Sequence, residues 1–156
     1  MSAALEEGES LAELQGGFPD SALATNLVYS QYPIEGADPG MDVSVQIAGF
    51  PAVFAAGVPA KQARVLAVSQ RPLAAVAFSE KASAAAWKTK PGWGIVSTSD
   101  HMINPEVERF GYKRAGLRKV IELDSSHLVM LTFPDEVTGL ITEAVADLAG
   151  AVTTAA

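Results

Sequence analysis

The sequence predicts an α/β fold in which two parallel strands and their flanking helices follow a loop-rich first half. Two apolar stretches, at 93–98 and 119–124, carry this prediction, and a helical pattern follows each of them. Strand–helix–strand–helix order at this spacing is typical of a parallel sheet, because parallel strands need a crossover connection. The two helices are expected at 105–115 and 134–149.

Local signals mark the ends of both helices. Asn104 is predicted as the N-cap of the first helix, with Pro105 in its first turn and Gly116 as its terminator. Pro134 is expected to open the second helix and Gly150 to close it. Apolar residues recur in the second helix at three- and four-residue spacing, which predicts one buried face. These residues are Val137, Leu140, Ile141, Ala144, Val145 and Leu148.

The first half of the chain is divided by turns rich in glycine and proline. Between these turns, the stretches 26–31 and 42–47 alternate apolar and polar residues, which favours a small exposed hairpin over a central sheet. A short apolar segment follows at 51–56, and an alanine-rich helix that begins with proline is expected at 59–70.

Composition narrows the classes of function. The chain has 156 residues and is 49% hydrophobic, which suits one globular domain or part of a larger one. A formal net charge of -7, with 11 lysines and arginines that form no run, argues against nucleic acid or an anionic membrane as a partner. With no cysteine and 2 histidines, no metal site is expected, and no cofactor is predicted.

Neither a signal peptide nor a membrane span is expected. The N-terminal residues are acidic and lack the basic and apolar regions of a secretory signal. The longest apolar run, at 72–78, is far shorter than the ~18 residues of a membrane-spanning helix. A cytoplasmic protein is therefore the expectation.

The candidate functional residues follow the ends of the two predicted strands. Asp100 comes after the first strand, and His127 comes after the second. Because the carboxyl ends of parallel strands meet at one edge of a sheet, we expect these side chains to lie within hydrogen-bond reach of each other. A buried acid that orients a histidine base makes up two-thirds of a Ser-His-Asp hydrolase site.

Each residue alone also has a plain structural interpretation. An aspartate after a strand often caps the next turn, and a lone loop histidine is often half-exposed without a chemical role. The occurrence of Asp100 and His127 as a pair favours the catalytic interpretation. His101, beside the acid, is interpreted as a loop residue rather than a second base.

Two motifs around this pair resemble the loops of a known enzyme family. The stretch 90–105 resembles the acid loop of α/β-hydrolases, in particular of small esterases of the methylesterase and hydroxynitrile lyase type. The stretch 124–130 looks like their histidine loop, and 133–137 looks like the start of their last helix. The resemblance implies the C-terminal part of the α/β-hydrolase sheet at 81–156, preceded by a cap or lid region at 1–80.

The resemblance also implies a serine nucleophile, and none is evident in this sequence. No Gly-x-Ser-x-Gly turn occurs, and the serines near the candidate pair have no such turn around them. These serines are Ser97, Ser99, Ser125 and Ser126. The predicted function is that of a serine-esterase relative acting on small esters, which carries the acid and the histidine of the triad and takes its nucleophile from another segment or a partner chain.

Two other functions stay open: a non-catalytic relic that binds a small ligand, and an oligomeric scaffold. If the first half of the family fold is missing, the strand at 93–98 has an unpaired edge that is expected to recruit other chains. The sequence therefore predicts self-association, or association with an N-terminal hydrolase half.

Overall fold

The computed structural model describes residues 4–154, with side chains described for residues 4–150. Residues 1–3 and 155–156, which belong to the two predicted regions, lie outside the described residues. The elements of the first half are α1 (Leu11–Gly16), β1 (Leu27–Tyr32), β2 (Gly40–Val45), α2 (Phe50–Val53), α3 (Ala60–Val68) and β3 (Leu73–Ala74). After two short 3-10 turns come β4 (Trp93–Ser97), α4 (Pro105–Ala115), β5 (Lys119–Leu123), α5 (Val129–Thr132) and α6 (Pro134–Thr154).

The predicted parallel pair is confirmed. Strands β4 and β5 pair in parallel, in a register that begins with Trp93 opposite Lys119. The crossover is α4, which begins after Asn104 because that side chain accepts a hydrogen bond from the Glu106 amide at 3.0 Å. The helix ends at Gly116, whose left-handed backbone (φ 58°, ψ 44°) suits glycine best. Both predicted helix ends are therefore confirmed.

The predicted hairpin is also present, although it is part of a larger sheet. β1 and β2 pair antiparallel, from Leu27 opposite Val45 to Tyr32 opposite Gly40. The two residues of β3 pair antiparallel with the other edge of β2, and the sequence did not predict them. A two-residue strand has too little alternation to be recognised without its neighbour.

One side chain extends this small sheet beyond β3. The amide group of Gln70 accepts a hydrogen bond from the Val45 N–H at 2.8 Å and donates one to the Val45 carbonyl at 2.9 Å. Gln70 thereby takes the place of a further strand residue on the edge of β2, and leaves both backbone groups of Val45 satisfied.

The main hydrophobic core joins the two halves of the chain. Met102, from the loop after β4, is buried together with Val45 and Phe50 of the first half and with small residues of α3. A smaller cluster joins Leu14 of α1 to Val107 of α4. The regions predicted at either side of residue 80 therefore share a core, and their division into cap and catalytic parts stays a prediction.

Helix α6 differs from its prediction in two respects. It continues through Gly150 to the end of the described residues, because one glycine costs only about 1 kcal/mol in a helix and no proline follows. Its apolar face is only partly covered: Leu140 is buried, but Ile141, Val145 and Leu148 are 59%, 62% and 45% exposed. The predicted periodicity is correct, whereas the predicted burial is wrong at these three positions because a two-stranded sheet is too narrow to cover them.

Arg114 ties the N-terminal segment to α4, and this contact gives a test of the fold. Its guanidinium donates to the Glu9 carboxylate at 2.8 and 3.2 Å, and these hydrogen bonds hold the pKa of Glu9 below its usual value. Glu9→Gln is expected to lower the free energy of unfolding by about 1 kcal/mol at pH 7, as measured by urea denaturation.

The effect of Glu9→Gln has a defined dependence on pH. A carboxylate whose pKa is lowered in the folded state stabilises the protein above its unfolded pKa, and this contribution is lost as pH falls through the folded pKa. The difference between variant and wild type should therefore shrink below pH 4.5. Glu7→Gln, at an exposed position nearby, is the matched control. Equal stability of Glu9→Gln and wild type at pH 7 would contradict the prediction.

Candidate active site

Asp100 and His127 meet at the carboxyl end of the two-stranded sheet. The hydrogen-bond ladder continues past the strands into the two loops, where the Ser99 amide donates to the Ser125 carbonyl at 3.1 Å. This bond fixes the distance between the acid loop and the histidine loop. His127 Nδ1 lies 2.7 Å from Asp100 Oδ2, so the predicted hydrogen bond between the two side chains is confirmed.

The two oxygens of Asp100 have different partners. Oδ1 accepts hydrogen bonds from the backbone N–H groups of Met102 at 2.7 Å and Ile103 at 3.2 Å, while Oδ2 faces His127. The side chain is only 1% exposed. Asp100 therefore caps a turn, as the plain interpretation expects, and also orients a histidine. Three donors hold its carboxylate in a single orientation.

The imidazole of His127 has one nitrogen held and one nitrogen available. When Nδ1 donates to Asp100, a neutral ring carries its lone pair on Nε2, which is the atom that a general base uses. Within the described part of the chain, no residue hydrogen-bonds to Nε2. The ring also contacts Phe54, with centroids 4.6 Å apart and an interplanar angle of 56°. The side chain is 32% exposed, so a reactant can approach it.

A cavity of about 490 Å³ lies beside His127. Aliphatic and aromatic side chains dominate its walls, and they come from both halves of the chain. They include Phe50, Phe54, Leu66, Met102 and Leu128. Among the described residues that line the cavity, Arg71 is the only lysine, arginine, aspartate or glutamate, and it is exposed. This volume and this apolar lining are typical of small-molecule sites.

Residues of the first half anchor both loops of the site. The Ser21 hydroxyl donates to the Met102 carbonyl at 2.7 Å and holds the acid loop. The Ser126 hydroxyl donates to the Ala56 carbonyl at 2.7 Å and holds the histidine loop. The sequence did not predict these anchors, because the first contact joins residues 81 positions apart and the second joins residues 70 positions apart.

The serines near the pair do not complete a triad. Ser99, Ser125 and Ser126 each donate a hydrogen bond to another group, and Ser97 is buried within β4. In residues 4–150, none of them is hydrogen-bonded to His127. His101 is exposed and lies outside the pair, in keeping with its interpretation as a loop residue.

Two further features are absent from the residues that the structure describes. No group of three or more histidine, aspartate or glutamate side chains is arranged to hold a metal ion there. No described helix has the length and apolar character needed to cross a membrane.

The sequence profile described as "Alpha/beta hydrolase family" matches residues 7–140, which is most of the chain and includes both Asp100 and His127. Together with the parallel pair and the site at its carboxyl end, this match defines the class: the chain belongs to the α/β-hydrolase family. No curated protein matches the chain in sequence.

Solved structures identify particular relatives of the fold. Polyneuridine aldehyde esterase is similar with a TM-score of 0.69 and 18% identity, over 87% of this chain and 56% of that one. A methylesterase from Arabidopsis has a TM-score of 0.64 and 16% identity, over 82% of this chain and 54% of its own. Tomato methylketone synthase I, complexed with 2-tridecanone, has a TM-score of 0.58 and 16% identity, over 77% and 49%. The chain thus spans about half the length of these relatives.

Proposed function

We propose that this chain carries the acid and the base of a serine-esterase active site for small apolar esters. The observation that carries the proposal is the 2.7 Å contact between His127 Nδ1 and Asp100 Oδ2 beside an apolar cavity. In this role His127 is the general base and then the general acid. Asp100 orients the imidazole and stabilises the imidazolium that forms.

The reaction proceeds through an acyl-enzyme. His127 Nε2 takes the proton of a serine as its oxygen attacks the ester carbonyl, and then passes that proton to the departing alcohol. Water attacks the acyl-enzyme in the same way and restores the serine. The sequence has no Gly-x-Ser-x-Gly turn, so the proposal assigns the nucleophile to a further segment or to a partner that provides an N-terminal hydrolase half.

The cavity favours an uncharged substrate with an apolar body. A carboxylate or ammonium group placed among its aliphatic and aromatic walls would lose its hydration without gaining a charged partner at depth. The names of the relatives agree with this choice, since two are esterases and the third holds a long-chain ketone.

The proposal treats residues 1–80 as the cap region and residues 81–156 as the end of the catalytic core. Phe50, Phe54 and Leu66 support this division, because the first region contributes these side chains to the cavity while the second contributes His127. The cap region then excludes water from the reacting ester.

The exposed apolar face of α6 supports a further segment or a partner that packs against this chain. Ile141, Val145 and Leu148 are spaced four and three residues apart, lie on one face of the helix and are exposed. A further protein layer packed on this face of α6 would cover them.

A fluorophosphonate probe, which labels activated serines, tests the proposal. The isolated chain is expected to remain unlabelled, because a base without an activated nucleophile gives little catalysis. The chain joined to an N-terminal esterase half that carries a Gly-x-Ser-x-Gly turn is expected to be labelled at the serine of that turn. Labelling of any serine of the isolated chain would contradict the proposal, and so would a joined protein that is folded but unlabelled.

A non-catalytic binding module is the second candidate function. The cavity beside His127 supports it, because that cavity is formed by residues of this chain. Two measurements together distinguish the two functions. One is calorimetric titration of methyl octanoate into the isolated chain, and the other is fluorophosphonate labelling of the joined protein. Binding together with an unlabelled joined protein would favour the module over the esterase.

A further inference from the structure

The edge of β4 that faces away from β5 is occupied by side chains. In a parallel pair, successive residues of a strand direct their backbone groups to opposite sides. Gly92 and Thr98, which flank β4, both hydrogen-bond toward the β5 side. Ile95 and Ser97 therefore direct their backbone groups to the opposite edge.

Two side chains of α4 bind these outward groups. Glu108 Oε2 accepts a hydrogen bond from the Ser97 N–H at 3.0 Å, and the Tyr112 hydroxyl donates to the Ile95 carbonyl at 3.2 Å. Glu108 is 6% exposed, so its contact is shielded from water. The sequence-based prediction of an unpaired edge is therefore wrong for these two backbone groups.

The geometry of helix and strand explains the match. Residues four apart in a helix are separated by about 6 Å along its axis, and residues two apart in a strand by about 6.6 Å. Glu108 and Tyr112 have the first spacing, and Ser97 and Ile95 have the second. One acceptor and one donor on a single helix face thus stand where a neighbouring strand would place its own carbonyl and N–H.

Three further observations support this arrangement. A Cβ on Gly94 would lie 2.9 Å from ring carbons of Tyr112, so the glycine permits the ring to lie close to the strand. Burial and the charge of Glu108 raise the pKa of Tyr112. The hydroxyl therefore stays protonated and can donate its hydrogen bond to Ile95. Gln70 closes the edge of β2 in the same way, so side-chain closure of a sheet edge occurs twice in this chain.

We propose that Glu108 and Tyr112 form an edge clasp that keeps a second copy of this chain from pairing with β4. Open strand edges promote association, and proteins commonly cover them. A strand that joins β4, whether from a second copy or from the N-terminal half invoked in the proposed function, has to displace the clasp first. This inference concerns the association of the chain and does not rest on the proposed function.

The association test uses a double variant, Glu108→Leu with Tyr112→Phe. These substitutions remove both hydrogen bonds to β4 and put apolar side chains of similar size in their place. By analytical ultracentrifugation, the double variant is expected to self-associate at a concentration at least tenfold lower than wild type. Glu108→Gln retains an acceptor oxygen and is expected to behave as wild type, as is Lys113→Ala on the exposed side of α4. A folded double variant that associates no more than wild type would overturn the proposal.

Amide hydrogen exchange in the wild-type chain tests the clasp without any variant that has to fold. The Val96 amide is directed toward β5 in the parallel ladder, so it serves as the internal reference. At concentrations where the chain sediments as a monomer, the Ser97 amide is expected to exchange within about tenfold of the Val96 rate. Exchange of Ser97 at the rate of an open amide, about a thousandfold faster, would overturn the proposal, and so would a wild-type dimer paired through β4.

Discussion

Replacement of His127 by alanine is expected to lower kcat for ester hydrolysis by at least about 10⁴-fold in the chain joined to a nucleophile-bearing half. The reason is that no other described group hydrogen-bonded to Asp100 can take the serine proton and return it to the leaving alcohol. KM should change little, because the apolar walls of the cavity bind the body of the ester. The measurement is steady-state hydrolysis of a short-chain ester, with circular dichroism to establish that the variant is folded.

His101→Ala is the matched control for this prediction. The chain has 2 histidines, and His101 lies next to Asp100 in sequence but is exposed and outside the hydrogen-bonded pair. Its replacement should leave kcat within about twofold of wild type. Similar losses in the two variants would mean that the position of His127 beside Asp100 has no special role, and the proposed general base would be refuted.

Replacement of Asp100 by alanine is expected to lower the free energy of unfolding by about 3–5 kcal/mol. The side chain is 1% exposed and accepts hydrogen bonds from Met102 N, Ile103 N and His127 Nδ1, so its removal leaves three donors without their acceptor. This loss is a large fraction of the stability of an ordinary domain. Urea denaturation followed by circular dichroism measures it.

Two comparisons separate the loss at Asp100 from other effects. Asp38→Ala, at an exposed position in the loop between β1 and β2, is expected to change the free energy of unfolding by less than about 0.5 kcal/mol. Asp100→Asn keeps the size of the side chain and one acceptor oxygen, so its loss should lie between those of the two alanine variants. If Asp100→Ala cost no more than Asp38→Ala, the three hydrogen bonds would not stabilise the fold as the structure implies.

The sequence predicted those parts of the fold that depend on nearby residues. Asn104 and Gly116 were identified as helix ends because capping and left-handed backbone conformations depend on one or two residues. The contact between Asp100 and His127 was predicted because a general rule for parallel sheets brings the carboxyl ends of adjacent strands together. Their catalytic role remains a prediction.

One missed element did carry a readable local signal. Helix α1 has only six residues, too few for an apolar periodicity to stand out. It nevertheless begins with a capping box, in which the Ser10 hydroxyl and the Glu13 carboxylate each accept from the backbone N–H of the other residue. The spacing of these two residues in the sequence would have been sufficient to predict the start of the helix.

The sequence by itself thus determined the parallel pair, its crossover helix and the meeting of acid and histidine, because each follows from local signals and a topological rule. The tertiary structure decided the walls of the cavity, the anchoring of Ser126 by Ala56 and the closure of the β4 edge by Glu108. It also decided how much of α6 is buried, which depends on the width of the sheet beneath the helix. These features rest on contacts between residues distant in sequence, and the pattern of either partner alone does not reveal the other.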